Sequence, residues 1–136
     1  MRRMRKVHLA MLVSVLVTLG MAVTVYADVM QGTGHLEGRS TACTGPFFID
    51  GANGGFIVSG NTTSASGRWT VLQSGDCRFE NTETIVDVTT NELSQFIGVA
   101  DHGKFFPGCF KLCVTTSNSG TSGKIDYSML MDSGPF

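Results

Sequence analysis

Asp101 and His102 place an acid directly beside an imidazole, and this is the first arrangement in the sequence that could do chemistry. A catalytic dyad needs a carboxylate that orients the imidazole and a nucleophile on the far side of the ring. Adjacent residues of a strand or loop usually point apart, and the sequence holds no Gly-x-Ser-x-Gly elbow to supply the nucleophile. We therefore interpret this pair as loop residues and predict that the protein is not an enzyme.

The segment Asp50-Gly-Ala-Asn-Gly-Gly55 has the composition of a calcium-binding loop. An EF-hand loop needs oxygen ligands at alternate positions and a bidentate Glu at the twelfth. Counting from Asp50, the third position is Ala52 and the twelfth is Asn61, so both requirements fail. We interpret the segment as a Gly/Asn turn and expect no metal or other cofactor, while a looser calcium site shared between loops stays open.

The four cysteines are Cys43, Cys77, Cys109 and Cys113, an even number that predicts two disulfides in an exported chain of this size. A four-cysteine zinc site would need close cysteine pairs, which Cys43 and Cys77 do not form. If residues 109–114 are a strand, Cys109 and Cys113 lie roughly 13 Å apart at ~3.3 Å per residue. A disulfide needs Cα atoms within about 7 Å. Cys109 and Cys113 must then pair with Cys43 and Cys77, in either order. A bend at Pro107-Gly108 would restore the local bridge.

Alternation of apolar and polar residues, broken only at Leu130, identifies two long strands near the C-terminus, residues 108–116 and 123–132. The apolar positions are Phe110, Leu112, Val114, Ile125, Tyr127, Met129 and Met131. Such a period of two indicates strands with one buried and one wet face. Because residues 117–122 are rich in Ser, Asn, Gly and Thr, we predict that the two strands form a β-hairpin.

Shorter apolar or alternating runs cover residues 35–43, 47–49, 56–58, 68–73 and 83–89, with turn-forming residues between them. Seven or eight short strands at this spacing predict an all-β fold, an antiparallel β-sandwich of jelly-roll or Ig-like type. A parallel sheet would need helical crossovers for which the chain has no room.

One stretch favours a helix instead. Thr89-Thr-Asn-Glu92 has capping-box spacing, Leu93, Phe96 and Ile97 follow at helical intervals, and Gly98 could end the helix. We predict a short helix near 90–97 that runs into a strand near residues 97–100.

Residues 1–27 have the layout of a secretory signal peptide. A cationic start precedes an apolar run over residues 10–25, and Val25-Tyr-Ala27 supplies small residues for cleavage before Asp28. The run is too short and too weakly apolar for a retained membrane anchor, which needs about 20 apolar residues. We predict that residues 28–136 are a single β-sandwich domain, secreted or located in the periplasm or at the cell surface, with no stable membrane insertion after cleavage.

The charge balance limits the possible partners. Four of the ten basic residues lie in the predicted signal peptide, which leaves six against eleven acidic residues, a formal net charge of −5. Nucleic acid and anionic lipid both need clustered positive charge, so this balance disfavours them.

The segments Pro107-Gly-Cys-Phe-Lys-Leu-Cys-Val114 and Asp126-Tyr-Ser-Met-Leu-Met131 carry a resemblance to a known family. They resemble the final two strands of bacterial pre-peptidase C-terminal (PPC) type domains, which end in a Gly-x-aromatic-x-x-x-Val strand and a Tyr-Thr-Leu-like strand. The resemblance implies a jelly-roll β-sandwich of the kind that is usually appended to secreted enzymes.

The aromatic residues could form a platform for stacking sugars, but Trp69 lies on the apolar side of its strand and is better interpreted as core. We predict a non-catalytic binding or structural module of the cell envelope or extracellular space, with an unknown protein or glycan ligand. The alternative is a small secreted inhibitor of a hydrolase, and a small hydrolase is the weakest hypothesis. The candidate binding loops carry Asp76, Arg78, Asp101 and His102.

Overall fold

The computed structural model describes residues 29–116 and 124–135, which form eight strands and two short helical turns. The strands are β1 (Val29–Glu37), β2 (Thr41–Ile49), β3 (Gly55–Thr63), β4 (Gly67–Ser74), β5 (Glu83–Thr90), β6 (Glu92–Gly98), β7 (Gly108–Thr116) and β8 (Lys124–Asp132). The helix α1 (Val99–His102) and a 3-10 turn (Gly103–Phe105) connect β6 to β7. The predicted signal peptide, residues 1–27, and the predicted link over residues 117–122 lie outside the described residues.

The strands form two four-stranded antiparallel sheets that face each other. Sheet A has the order β1-β8-β3-β6, and sheet B has the order β2-β7-β4-β5. This confirms the antiparallel sandwich, and the strand order is that of a jelly roll, whose eight strands build two Greek keys. The jelly roll that the PPC resemblance implies is therefore present, while membership of that family stays a prediction.

The core consists of alternate, inward-facing residues of the strands. Fully buried side chains come from both sheets: Phe56, Val58, Trp69, Val71, Phe110, Leu112, Val114, Ile125 and Met131. Trp69 has no exposed surface, and its indole nitrogen donates a hydrogen bond to the Thr90 carbonyl at 3.1 Å. The interpretation of Trp69 as a core residue is confirmed.

The hairpin predicted near the C-terminus is wrong. Both strands alternate as expected, but β7 lies between β2 and β4 in sheet B, whereas β8 lies between β1 and β3 in sheet A. Alternation shows which face of a strand is buried and does not identify its partner. Here the two strands face each other across the core and hydrogen-bond to different neighbours.

The helix predicted near 90–97 is also wrong, because this segment is β6. It pairs with β3 from Asn61↔Glu92 to Gly55↔Gly98, turning Leu93 and Ile97 into the core and Phe96 outwards. A two-turn helix is marginal by itself, and pairing with β3 satisfies the backbone groups of both segments. Helical structure begins one residue later, at Val99.

The strand predicted over residues 35–43 is divided between two sheets. β1 begins already at Val29 and ends at Glu37, and the chain then turns through residues 38–40 before β2 begins at Thr41. Gly38, with φ +64°, provides the left-handed backbone that this turn requires.

Two disulfides join Cys43 to Cys113 and Cys77 to Cys109. The cross-pairing expected if residues 109–114 are a strand is confirmed, and the order that the sequence left open is settled. Cys43 and Cys113 are directly opposed in β2 and β7. Within the described residues, no helix is long and apolar enough to cross a membrane.

Candidate functional site

The outer face of sheet A changes in character along its strands. At one end of the face, the paired residues Val29, Asp132, Ile57 and Phe96 form a row across the four strands that is apolar except for Asp132. The middle of the face carries polar side chains around Leu130, and the opposite end carries the charged residues around His35. An extended ligand lying on this face would therefore meet three different environments.

The polar middle is an open groove of about 430 Å³, here called the sheet A groove. Its polar side chains come from all four strands: Gln31, Thr33, Ser59, Asn61, Glu92, Ser94 and Ser128. At a strand spacing of about 4.8 Å, the four strands give it a width of roughly 14 Å. Because most of these side chains are short, the face is recessed there. Hydroxyl and amide groups provide both donors and acceptors.

The floor of the sheet A groove includes Gly32 and Gly60. From the core side, the tip of the Trp69 ring approaches so closely that a Cβ built on Gly60 would lie 2.3 Å from Trp69 Cη2. A single strand therefore separates the largest core side chain from the groove. This packing supports the floor of the groove against the core.

Phe96 forms an aromatic platform beside the sheet A groove. Its side chain is 53% exposed, although it belongs to a strand whose next residue, Ile97, is fully buried. A Cβ at Gly98 would lie 2.8 Å from Phe96 Cε1, and one at Gly55 would lie 2.9 Å from Phe96 Cζ. The ring thus lies over the paired glycines, whose lack of side chains allows this close approach, while more than half of its surface remains accessible to a ligand.

The charged end of the face is held together by His35. Its Nδ1 lies 2.7 Å from Asp126 Oδ1, its Nε2 lies 3.1 Å from Glu37 Oε1, and Lys124 Nζ lies 3.8 Å from the same Glu37 oxygen. The hydrogen bonds to Glu37 and Asp126 raise the pKa of His35. The hydrogen bond from His35, together with the charge of Lys124, lowers the pKa of Glu37. This cluster ties the edge strand β1 to β8.

We expect the His35 cluster to stabilise the protein more at pH 5.5 than at pH 8.5. A raised folded-state pKa means that the stabilisation is present below the unfolded value of 6.5 and is lost as the pH rises through the folded value. The pKa of Glu37, the partner of His35, is lowered from the unfolded value of 4.5, so the Glu37 carboxylate is ionised at both pH values. Melting temperatures of the wild type and His35→Ala at both pH values measure this. If the melting temperatures of the two proteins differ by the same amount at both pH values, the prediction is contradicted.

Glu92 is the one ionisable side chain among the described residues that line the sheet A groove. Asp126 lies on the same face but is engaged with His35. The groove therefore carries weak negative charge and, among its described lining, no cation. Neutral polar ligands fit this environment better than anionic ones.

The candidate loop residues Asp76 and Arg78 lie in the β4–β5 loop, residues 75–82. Asp76 Oδ1 accepts hydrogen bonds from the Arg78 backbone N–H at 3.1 Å and the Ser74 hydroxyl at 2.8 Å. These bonds lower the pKa of Asp76. The Cys77–Cys109 disulfide and a cation–π contact between Lys111 and the Phe79 ring fasten the loop to the outer face of sheet B. The loop is curled and lies against the sheet.

The candidates Asp101 and His102 lie in α1, in the loop between β6 and β7. Within the described part of the chain, no hydrogen bond or ion pair joins the two residues, and neither lines the sheet A groove. The Gln73 amide donates to the Phe105 carbonyl at 3.1 Å, which holds the β6–β7 and β4–β5 loops at the same end of the sandwich. The structure thus brings the two candidate loops to one end, without assembling a dyad.

The Gly/Asn turn predicted at residue 50 is present, and it joins β2 to β3 at this same end. The Asp50 carboxylate accepts the Ala52 N–H at 2.8 Å, and Gly54 N–H donates to the Gly51 carbonyl at 3.0 Å. Among the described residues, no group of three or more His, Cys, Asp or Glu side chains could hold a metal ion.

The residues of the sheet A groove were not identified from the sequence. The signal of its polar side chains is weak, since each of them is a Ser, Thr, Asn, Gln or Glu at an outward position of β1, β3, β6 or β8. Outward polar residues are typical of any solvated sheet face. Only the pairing of four strands that are distant in the sequence brings these side chains together.

Comparison with protein-family models finds no match, and no curated protein is significantly similar in sequence. Solved structures that are similar to this chain include the following two. The Yersinia pseudotuberculosis-derived mitogen is 12% identical with a TM-score of 0.50, covering 82% of this chain and 90% of its own. A carbohydrate binding module of family 29 is 8% identical with a TM-score of 0.40, covering 81% and 91%. The likeness to the mitogen shows a shared β-sandwich fold alone, and a TM-score of 0.40 carries no argument about ligand binding.

Proposed function

We propose that this protein is an exported, non-catalytic module that binds a neutral glycan chain in the sheet A groove. The observation that carries the proposal is the juxtaposition of a recessed hydroxyl- and amide-lined groove with the half-exposed ring of Phe96 on one sheet face. Of the two ligand classes expected from the sequence, an unknown protein or a glycan, this chemistry favours the glycan.

The lining suits sugar hydroxyls, which donate and accept hydrogen bonds at the same time. The amides of Gln31 and Asn61 each offer an acceptor and two donors, and the hydroxyls of Ser59, Ser94 and Ser128 offer both functions. The apolar face of a pyranose ring pairs with an aromatic side chain, as Phe96 presents here. Binding sites commonly combine apolar area with a few polar groups that determine orientation.

The proposal that the protein is non-catalytic rests on the number of carboxylates that line the sheet A groove. Most glycoside hydrolases need a pair of carboxyl groups on either side of the scissile bond. Glu92 is the single carboxylate among the described residues that line the groove. With no second acid beside it, Glu92 is suited to accept a hydrogen bond from a ligand hydroxyl.

A hydrolase inhibitor is the less well supported alternative. The β4–β5 loop is held by the Cys77–Cys109 disulfide and carries the exposed Arg78, as an inhibitory loop would. However, peptides that bind by strand addition are extended. The residues on both sides of Arg78 have left-handed backbone, with φ 64° at Cys77 and 56° at Phe79, so this loop is curled.

Export is supported by the two disulfides, because such bonds form and persist in oxidising compartments. The predicted signal peptide and the localisation in the periplasm, at the cell surface or outside the cell belong to this proposal. An exported module that holds a glycan needs neither a cofactor nor a nucleic acid partner.

We expect the exported, oxidised protein to bind at least one of xylan, mannan, β-1,3-glucan and hydroxyethylcellulose, and to bind polygalacturonate and heparin more weakly. Phe96→Ala and Asn61→Ala should each lower the affinity about three- to tenfold, since a stacking or hydrogen-bonding contact contributes roughly 0.5–1.5 kcal/mol. Affinity gel electrophoresis and calorimetry measure the effect.

Thr89→Ala, an exposed substitution on the edge strand of sheet B, is the matched control and should bind as the wild type does. Preserved melting temperatures confirm that all three variants are folded. Wild-type affinity in both groove variants, or no binding of any neutral polysaccharide, overturns the proposal.

A further inference from the structure

A second cavity of about 240 Å³ lies at the loop end of the sandwich, beside the turn between β2 and β3. This loop-end cavity is bordered by Phe48, Asp50, Asn53, Gly55 and Ser133. Phe48 is 56% exposed, so a second accessible aromatic side chain stands at its wall. Most of the remaining lining is polar side chain or glycine backbone.

The loop-end cavity lies further along β3 from the sheet A groove, between the ends of the two sheets. Outward positions of β3 follow one another as Asn61, Ser59, Ile57 and Gly55. The first two line the groove and the last lines the cavity, so the track from Asn61 to Gly55 is about 20 Å long at ~3.4 Å per residue. The Phe96 ring packs over Gly55 and thus lies between the two recesses.

The walls of the loop-end cavity are held in place by hydrogen bonds. The Asn53 amide donates to the Ser133 carbonyl at 3.1 Å, and the Val99 N–H donates to the Gly54 carbonyl at 2.8 Å. Asp50 uses Oδ1 to accept the Ala52 N–H, which directs its carboxylate at the turn. A recess that is already shaped before binding reduces the cost of ordering on association.

Resting on the proposed glycan-binding function, we infer that the loop-end cavity is a second sugar subsite, so that one glycan chain runs along β3 from the sheet A groove, across Phe96, into this cavity. Phe48 supplies the stacking surface there, and the second carboxylate oxygen of Asp50 and the amide oxygen of Asn53 accept hydroxyl hydrogen bonds. The ligand class is a neutral linear polysaccharide, and long chains bind more tightly than short ones because only they reach both subsites.

The test titrates the exported protein by calorimetry with cello-, xylo- and mannooligosaccharides of three and six units. The wild type should bind the six-unit chain of the preferred series at least about tenfold more tightly than the three-unit chain. Phe48→Ala should lower the affinity for the six-unit chain about three- to tenfold and leave the three-unit chain unaffected. Asp50→Asn retains one oxygen for the hydrogen bond of the turn and replaces the other with an amide nitrogen. It should therefore lower the affinity for the six-unit chain alone.

The outcomes separate the subsite from the proposed function. If Phe96→Ala loses affinity for both lengths while Phe48→Ala and Asp50→Asn lose none, the groove binds glycan and the cavity inference is overturned. Equal wild-type affinity for both lengths also overturns it. Six-unit binding that EDTA abolishes and calcium restores would assign the cavity to a metal ion instead. Wild-type protein that binds no neutral oligosaccharide or polysaccharide overturns both proposals.

Discussion

Trp69→Ala is expected to lower the free energy of unfolding by about 3–5 kcal/mol, as large-to-small substitutions of buried aromatic residues do. The side chain has no exposed surface, its ring packs against Gly60, and its indole nitrogen is hydrogen-bonded to Thr90. Small domains have total stabilities of about 5–15 kcal/mol. A loss of this size therefore removes a large part of the stability of the domain. Thermal unfolding should show a melting temperature about 15–30 °C lower.

Phe96→Ala is the matched control for this prediction because it removes an aromatic ring that is 53% exposed. It should change stability by less than about 1 kcal/mol while weakening glycan binding. The two aromatic side chains thus have opposite expected effects. A Trp69→Ala protein that keeps its melting temperature and loses a ligand would show that Trp69 contacts the ligand and is not a core residue.

Removing the Cys43–Cys113 disulfide with paired Ser substitutions is expected to destabilise the protein by about 4 kcal/mol. In the chain-entropy model, a disulfide restricts the unfolded chain more strongly when it closes a longer loop. This bond spans a sequence separation of 70. The opposed strands β2 and β7 remain hydrogen-bonded in the variant, so the fold should survive at lower stability. Urea unfolding in the absence of reductant measures the loss.

The Cys77–Cys109 bond provides the comparison, since its sequence separation is 32. For the paired Ser variant of this bond, the same model gives a loss of stability slightly below that of the Cys43–Cys113 variant, the difference being less than about 1 kcal/mol. Its removal should also release the β4–β5 loop from the face of sheet B, which raises hydrogen exchange in residues 75–82 alone. Free thiols in the purified wild-type protein, or unchanged stability in both variants, would contradict this account.

The alternation of apolar residues in the C-terminal third identified β7 and β8 and the buried face of each. The rise per residue of an extended chain disfavoured a bond between Cys109 and Cys113, and the structure pairs each of them with a different cysteine. Both inferences depend on distances and directions within one strand. Such properties are local, and a single segment of sequence contains them.

The errors concern the partners of strands. The pattern of Leu93, Phe96 and Ile97 suits a helical face and also suits a strand with Phe96 turned outwards, and pairing with β3 decided between them. The expected hairpin of β7 and β8 failed for the same reason, since each strand found two better partners elsewhere. Tertiary contacts override local propensity when the local preference is weak.

The candidate site depends on the same non-local pairing. Thr33, Ser128, Asn61 and Glu92 become neighbours only through the register of β1, β8, β3 and β6. The loop residues proposed from the sequence, Asp76, Arg78, Asp101 and His102, gather at one end of the sandwich and do not line the groove.

The sequence by itself determined the fold class, the buried faces of the strands, the place of Trp69 in the core and, on condition that residues 109–114 are extended, the pairing of Cys109 and Cys113 with the two other cysteines. Each of these follows from the two-residue period of a strand or from the reach of an extended chain. Only the tertiary structure decided the jelly-roll strand order, the strand character of β6, and the groove with its aromatic platform. These features depend on which distant segments pair, and that choice is made by the free energy of the whole packed sandwich rather than by any one stretch of residues.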